Sequence, residues 1–203
     1  MLNDNTAPIG VFDSGLGGLT VVRAIQAQLP RENLIYLGDN ARVPYGTRSA
    51  QTVLHYARAC AARLRKHDIK FLVVACNTVS AVALDVLRAE MDVPVLGVIE
   101  PGALAGVAAC RHGRLGVIAT PGTVQSGAYP RAAAALDPRV ELFMESAPLL
   151  VPLVEEGWLE GEVPELVVRR YLRPLVAQRI DALVLGCTHY PLLHDVIARE
   201  LAA

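Results

Sequence analysis

"FLVVACNTVS" (Phe71–Ser80) is apolar at nearly every residue up to Cys76 and then turns abruptly small and polar at Asn77, Thr78 and Ser80. An unbroken apolar run of this length is the pattern of a strand covered on both faces, as parallel strands are. "ALVLGCTHYP" (Ala182–Pro191) repeats the pattern around Cys187, 111 positions later. Each stretch reads as a short buried strand that ends on a thiol and runs into a helix start.

The rest of the chain follows the same grammar. "PIGVFD" (8–13), "NLIYLGD" (33–39), "FLVVAC" (71–76), "VPVLGVIE" (93–100), "RLGVIAT" (114–120), "VELFMES" (140–146) and "ALVLGC" (182–187) read as strands. Between them, helical patterns occupy 49–66, 78–90 and 161–178, the first with an apolar stripe of Val53, Leu54, Ala57, Cys60, Ala61 and Leu64. This alternation predicts an α/β, doubly wound fold with mainly parallel sheets. A faint repeat divides it. "IGVFDSGLGGLTV" (9–21) resembles "LGVIATPGTVQSG" (115–127), and "FLVVACNT" (71–78) resembles "ALVLGCTH" (182–189), at offsets of 106 and 111. Two similar domains are expected, 1–98 and 99–203, joined where "VIEPGA" supplies Pro and Gly.

Composition excludes several classes. With 203 residues and 53% hydrophobic content the chain can fill a core and is too apolar for disorder. No apolar run reaches the ~18 residues of a membrane span, and "MLNDNTAPIG" has neither the basic nor the hydrophobic region of a secretory signal. The net charge of −1, from 19 basic and 20 acidic residues, gives no basis for nucleic-acid binding. The four cysteines show no CxxC spacing and no extracellular disulfide pattern, so a reduced, cytoplasmic protein is expected.

In open parallel sheets, ligands bind beyond the carboxyl ends of the strands. Those ends carry Asp13-Ser14 followed by Gly15-Leu16-Gly17-Gly18, then Asp39, Cys76-Asn77-Thr78, Thr120 and Cys187-Thr188-His189. Such small hydroxyl and amide groups suit a small anion held partly by helix-start amides. "DSGLGG" is neither the GxGxxG fingerprint nor a P-loop. A threonine after a strand is ordinarily an N-cap, and Cys60 and Cys110 read as small hydrophobes. Cys76 and Cys187 differ because both stand at the ligand edge, before a helix start expected to lower a thiol pKa.

Two such thiols could form a transient disulfide, join a thin metal-ligand set, or act as acid and base on opposite faces of one carbon. The last suits a reaction that interconverts mirror images. Pyridoxal phosphate requires a Schiff-base lysine. The chain has only Lys66 and Lys70, against 17 arginines, and both precede the third strand, away from the ligand edge. Any racemisation is therefore expected to need no cofactor, and no metal is expected.

The motifs "GVFDSGLGGLTV", "YLGDNARVPYGTRS", "ACNTVSA", "VPVLGVIEPG", "IATPGTVQSGAY", "PLVEEG" and "LVLGCTHYPLL" span almost the whole chain and resemble the glutamate racemase family of the cofactor-independent aspartate/glutamate racemases. The resemblance implies an active site in the cleft between two α/β domains, L- and D-glutamate as substrates, and supply of D-glutamate for peptidoglycan. It implies Cys76 and Cys187 as the acid/base thiols, Asp13 assisting the first, and Glu155 (with Glu156 adjacent) and His189 assisting the second. Ser14 and Pro44-Tyr45-Gly46 match the segment that holds the side-chain carboxylate. Asn77, Thr78 and Thr188 match groups around the α-carboxylate and amine, and Thr120 and Thr123 match further polar contacts. Ser146 stands where many members carry Cys. The family usually continues beyond the position matching Ala203, with a segment that returns to the first domain, so an exposed edge strand is expected here. An exposed apolar helix face leaves room for a homodimer. Aspartate racemase, an inactive amino-acid-binding module and a redox dithiol protein are the rival functions.

Overall fold

The computed structural model describes residues 6–202. The first five residues, which carry half of the stretch read for a leader, lie outside that range, as does Ala203. The chain forms two compact units, one ending at Val98 and the other starting at Ile99.

The first unit contains β1 (Ile9–Asp13), α1 (Leu19–Gln28), β2 (Leu34–Gly38), α2 (Ala50–Arg65), β3 (Phe71–Val74), α3 (Asn77–Val82), α4 (Leu84–Glu90) and β4 (Val95–Gly97). All its strands pair in parallel, in the order β2-β1-β3-β4. The continuous apolar runs follow from two-sided burial. Along a strand, successive side chains point to opposite faces. Phe12, Leu72 and Val74 join the cluster under α2, with Val53, Ala57, Cys60, Ala61 and Leu64. Val11, Val73 and Ala75 join the opposite cluster, with Val21, Val22 and Ile25 of α1. Helix α2 begins on Ser49, whose side chain accepts the Thr52 N–H, and ends with Arg63 and Arg65 in its last turn, favourable for the helix dipole.

The second unit contains α5 (Ile99–Ala109), β5 (Arg114–Ala119), α6 (Pro121–Ser126), α7 (Ala128–Leu136), β6 (Glu141–Ser146), α8 (Leu150–Glu155), α9 (Glu162–Ala177), β7 (Ala182–Gly186), a 3-10 turn (Tyr190–Leu193) and α10 (His194–Ala202). Its parallel sheet has the order β6-β5-β7. Helix α9 buries Val168, Leu172 and Leu175 over one face. On the other face, α5 approaches the sheet so closely that a Cβ on Gly106 would lie 2.6 Å from Val184 Cγ2.

The two sheets share a topology. In each, the first strand is central, the second lies on one side and the third on the other: β2-β1-β3 beside β6-β5-β7. The internal repeat maps β1 onto β5 and β3 onto β7, so the two thiol-bearing strands occupy equivalent places. Each unit has its topological switch point between these two strands, where a ligand crevice forms in open α/β sheets.

Every strand read from the sequence is present, each trimmed by a residue or more where the chain turns into or out of the sheet. Two expectations differ. The strand proposed for 93–100 is only Val95–Gly97, because Ile99 already opens α5, which accommodates Pro101 in its first turn, where no N–H is needed. The helix proposed for 78–90 is two helices, broken at Ala83 (φ −127°, ψ −6°). Among the described residues no helix is long and apolar enough to cross a membrane.

Candidate active site

Strands β1 and β3 are neighbours, with Phe12 opposite Val74, so Asp13 and Cys76 emerge at the same sheet edge. Asp13 is fully buried, and its carboxylate accepts the N–H groups of Gly18 at 2.8 Å and Gly15 at 3.3 Å. The glycine-rich turn thus forms a cradle for one carboxylate. Tyr36, half-buried on β2, donates its hydroxyl to the Gly15 carbonyl and braces the turn from outside. Burial first, then the charges of Asp13 and Cys76, push the Tyr36 pKa up, which keeps the phenol a donor.

Cys76 caps the start of α3, and its Sγ donates to Ser14 Oγ at 3.5 Å. Asn77, Thr78 and Ser80 lie buried in the turns that follow. Burial first, then the Asp13 charge, push the Cys76 thiol up to about 11. This overturns the expectation that the helix start lowers it. The amides of Thr78 and Val79 and the Ser14 hydroxyl do favour the thiolate. Loss of water and a neighbouring carboxylate outweigh them, and α3 is only six residues long.

At the end of β2, Asp39 turns the chain toward Pro44-Tyr45-Gly46. The Tyr45 side chain is 1% exposed, and its hydroxyl is committed to the Asp39 carboxylate. What this segment can offer a ligand is therefore its backbone rather than the phenol.

In the second unit, Ala119 lies opposite Gly186, which brings Thr120 and Cys187 out at one edge. The Thr120 and Thr123 hydroxyls are 3.1 Å apart and buried, and Thr188 is buried beside Cys187 in the chain. His189 Nδ1 lies 3.8 Å from Cys187 Sγ, and its Nε2 is hydrogen-bonded to the Glu155 carboxylate. The His189 side chain is 4% exposed and that of Glu155 31%. Of the two adjacent carboxylates, Glu155 is the one that reaches the imidazole. Cys187 is followed by a four-residue 3-10 turn rather than an α-helix.

Chemically, each unit places a thiol beside a group able to exchange a proton with it: Asp13 near Cys76, and the His189–Glu155 pair at Cys187. Lys70 is bound to Glu32 at 2.5 Å and sits before β3, at the edge opposite Cys76. Among the described residues no group of three His, Cys, Asp or Glu side chains could hold a metal ion. The sequence alone did not single out Tyr36 or the side-chain role of Asp39.

Residues 9–203 match the Asp/Glu/Hydantoin racemase family. A protein of Geobacter metallireducens named glutamate racemase is 53% identical over 193 residues, covering 95% of this chain and 72% of the relative. The crystal structure of glutamate racemase isoform RacE1 from Bacillus anthracis superposes with a TM-score of 0.94 at 43% identity, over 97% of this chain and 74% of that one. The glutamate racemase of Francisella tularensis, solved in complex with D-glutamate, has a TM-score of 0.91 at 40% identity, over 98% of this chain and 75% of that one.

Proposed function

The chain belongs to the Asp/Glu/hydantoin racemase family, and from that premise we propose that it interconverts L- and D-glutamate with two cysteine thiols and no cofactor. One observation carries the mechanism. At equivalent strand ends of two similar units stand two thiols, each with a titratable neighbour: Cys76 near Asp13, and Cys187 beside His189, which is bonded to Glu155.

In the forward direction one thiolate takes the α-proton. The Cα–H bond breaks and an S–H bond forms. The other thiol gives its proton to the opposite face, so its S–H bond breaks and the new Cα–H bond forms. The protein ends with the thiol and thiolate exchanged, ready for the reverse reaction or for re-equilibration through Asp13 and His189. A thiol raised to about 11 is a stronger base once deprotonated, which suits a weakly acidic C–H. Asp13, fixed by two backbone amides, is placed to take that thiol's proton when substrate arrives.

The side-chain carboxylate is assigned to Ser14 and the backbone of Pro44–Gly46. The α-carboxylate and amine are assigned to Asn77, Thr78 and Thr188, with Thr120 and Thr123 as further polar contacts. Glutamate is preferred over aspartate because the relatives at 40% identity and above carry the glutamate name. One methylene alone would decide only ~1–3 kcal/mol. We place the reaction in the cytoplasm, as a source of D-glutamate for peptidoglycan.

The test is α-proton exchange in deuterated water with each enantiomer of glutamate, and of aspartate in parallel. The intact protein should exchange both glutamate enantiomers. Cys76→Ser and Cys187→Ser should each lose racemisation and retain exchange only for the enantiomer whose α-proton meets the surviving thiol. Exchange of aspartate alone would overturn the substrate, and exchange of neither amino acid would overturn the racemase reading.

A further inference from the structure

Asp39 carries a buried carboxylate, 7% exposed, just beyond the end of β2, the strand that pairs with the one ending in Asp13. Its main-chain N–H donates to the Asp13 carbonyl at 3.1 Å, so the end of β2 is tied to the end of β1. Its side chain accepts the Tyr45 hydroxyl and pairs with Arg42 Nε at 2.7 Å. The Arg42 guanidinium lies 4.6 Å over the Tyr56 ring, and the Tyr45 and Tyr56 rings are 5.3 Å apart. Arg42 N–H in turn donates to the Asp39 carbonyl at 3.1 Å. Backbone and side chain of one residue thus hold residues 42–45 against the strand that carries Asp13.

Packing alone does not require this group. Replacing both members of an ion pair by apolar residues of similar volume is often neutral for stability. What an apolar residue cannot do is fix the direction of a phenol and a guanidinium together. Burial first, then the bond to Asp39, push the Tyr45 pKa up, so the phenol stays a donor.

We propose that Asp39 is a positioning residue that sets selectivity for a substrate with a side-chain carboxylate, by clamping Tyr45 and Arg42 so that the backbone of Pro44–Gly46 is fixed where that carboxylate binds. The proposal rests on the glutamate racemase reading and on that segment as the carboxylate's seat. Loss of the clamp leaves both thiols and Asp13 in place, so binding of the side-chain carboxylate suffers while proton transfer continues.

The experiment compares the intact protein, Asp39→Asn and Tyr45→Phe. It measures KM and kcat for glutamate in both directions, and α-proton exchange of norvaline, which has glutamate's chain length without the second carboxylate. Asp39→Asn should raise KM for glutamate about tenfold, equivalent to one decade of affinity, with kcat within about threefold and norvaline exchange unchanged. Tyr45→Phe removes only the hydroxyl and should shift KM the same way by less; it decides the matter if Asp39→Asn does not fold. A fall in kcat at unchanged KM, or equal losses for glutamate and norvaline, marks a merely structural residue and overturns the clamp while the racemase reading stands. No glutamate exchange by the intact protein overturns both.

Discussion

The Asp13 carboxylate accepts the Gly18 N–H at 2.8 Å, and a Cβ on Gly18 would lie 2.4 Å from Asp13 Cβ. Gly18 has φ −61°, so its need for glycine comes from close approach and not from its backbone angles. Gly18→Ala must therefore push Asp13 away from its cradle. A displacement on the order of 1 Å near the chemistry costs roughly 10²-fold. Two enantiomers have equal free energies, so kcat/KM must fall by the same factor in both directions. Polarimetric assay of the folded variant checks this, and a wild-type kcat/KM would show that the cradle does not matter.

The Cys76 thiol gives a pH dependence of stability. Its pKa rises from 9.0 to about 11 on folding, through burial first and Asp13 second. A raised pKa means that the native state holds the proton more tightly than the unfolded chain. The resulting stability is present below about pH 9 and is lost as pH rises through about 11. A proton held about a hundredfold more tightly corresponds to roughly 3 kcal/mol. Urea unfolding of the intact protein and Cys76→Ala between pH 7 and 11 should show the intact protein losing about that much relative to the variant. The cavity left by alanine adds a constant offset, and Tyr45, Tyr129 and Tyr190, whose raised pKa values have causes other than Cys76, act on both proteins alike. Parallel stability curves would remove the thiol as the cause.

Much of this was legible in the sequence because the signals are local. Phe71–Val74 and Ala182–Gly186 are apolar at every position, which two-sided burial demands, and Val53, Ala57, Cys60, Ala61 and Leu64 fall at helical spacing. The echo between Cys76 and Cys187 needed only comparison of the chain with itself. What was not legible depends on which strands lie side by side. Tyr36 reads as an ordinary strand aromatic until β2 is placed beside β1, where its hydroxyl meets Gly15. Asp39 reads as a strand terminus until Tyr45 folds back onto it. The pKa of Cys76 is not legible either, because sequence shows the helix start and hides the desolvation and the carboxylate that oppose it.

His189 lies between Cys187 and Glu155, so its loss should act on the proton transfers of Cys187 alone. His189→Asn is expected to lower kcat/KM by about 10²–10⁴-fold, the usual contribution of a positioned acid or base. Glu155→Gln, which keeps the shape and removes the charge, should lower it less. Equal loss in both directions is again required by thermodynamics, so the diagnostic quantity is the primary deuterium isotope effect. It should grow for the enantiomer deprotonated by Cys187 and fall for the other, whose slow step becomes reprotonation by Cys187. Growth of the same size for both enantiomers would detach His189 from that thiol.

Ser80 joins the third strand to the chain just beyond the fourth. Its buried hydroxyl donates to the Val74 carbonyl at 3.0 Å and accepts the Val98 N–H at 3.2 Å. Its own N–H donates to the Cys76 carbonyl at 2.9 Å, which anchors the turn carrying the thiol. Ser80→Ala leaves that last bond intact and strips two main-chain groups of a partner. An unsatisfied buried group costs ~1–3 kcal/mol, so a loss of about 2 kcal/mol is expected from denaturant unfolding at unchanged slope. The exposed cap Ser49 should lose only about 1 kcal/mol on the same substitution. A smaller loss at Ser80 than at Ser49 would mean that solvent reaches the Val74 and Val98 groups and satisfies them.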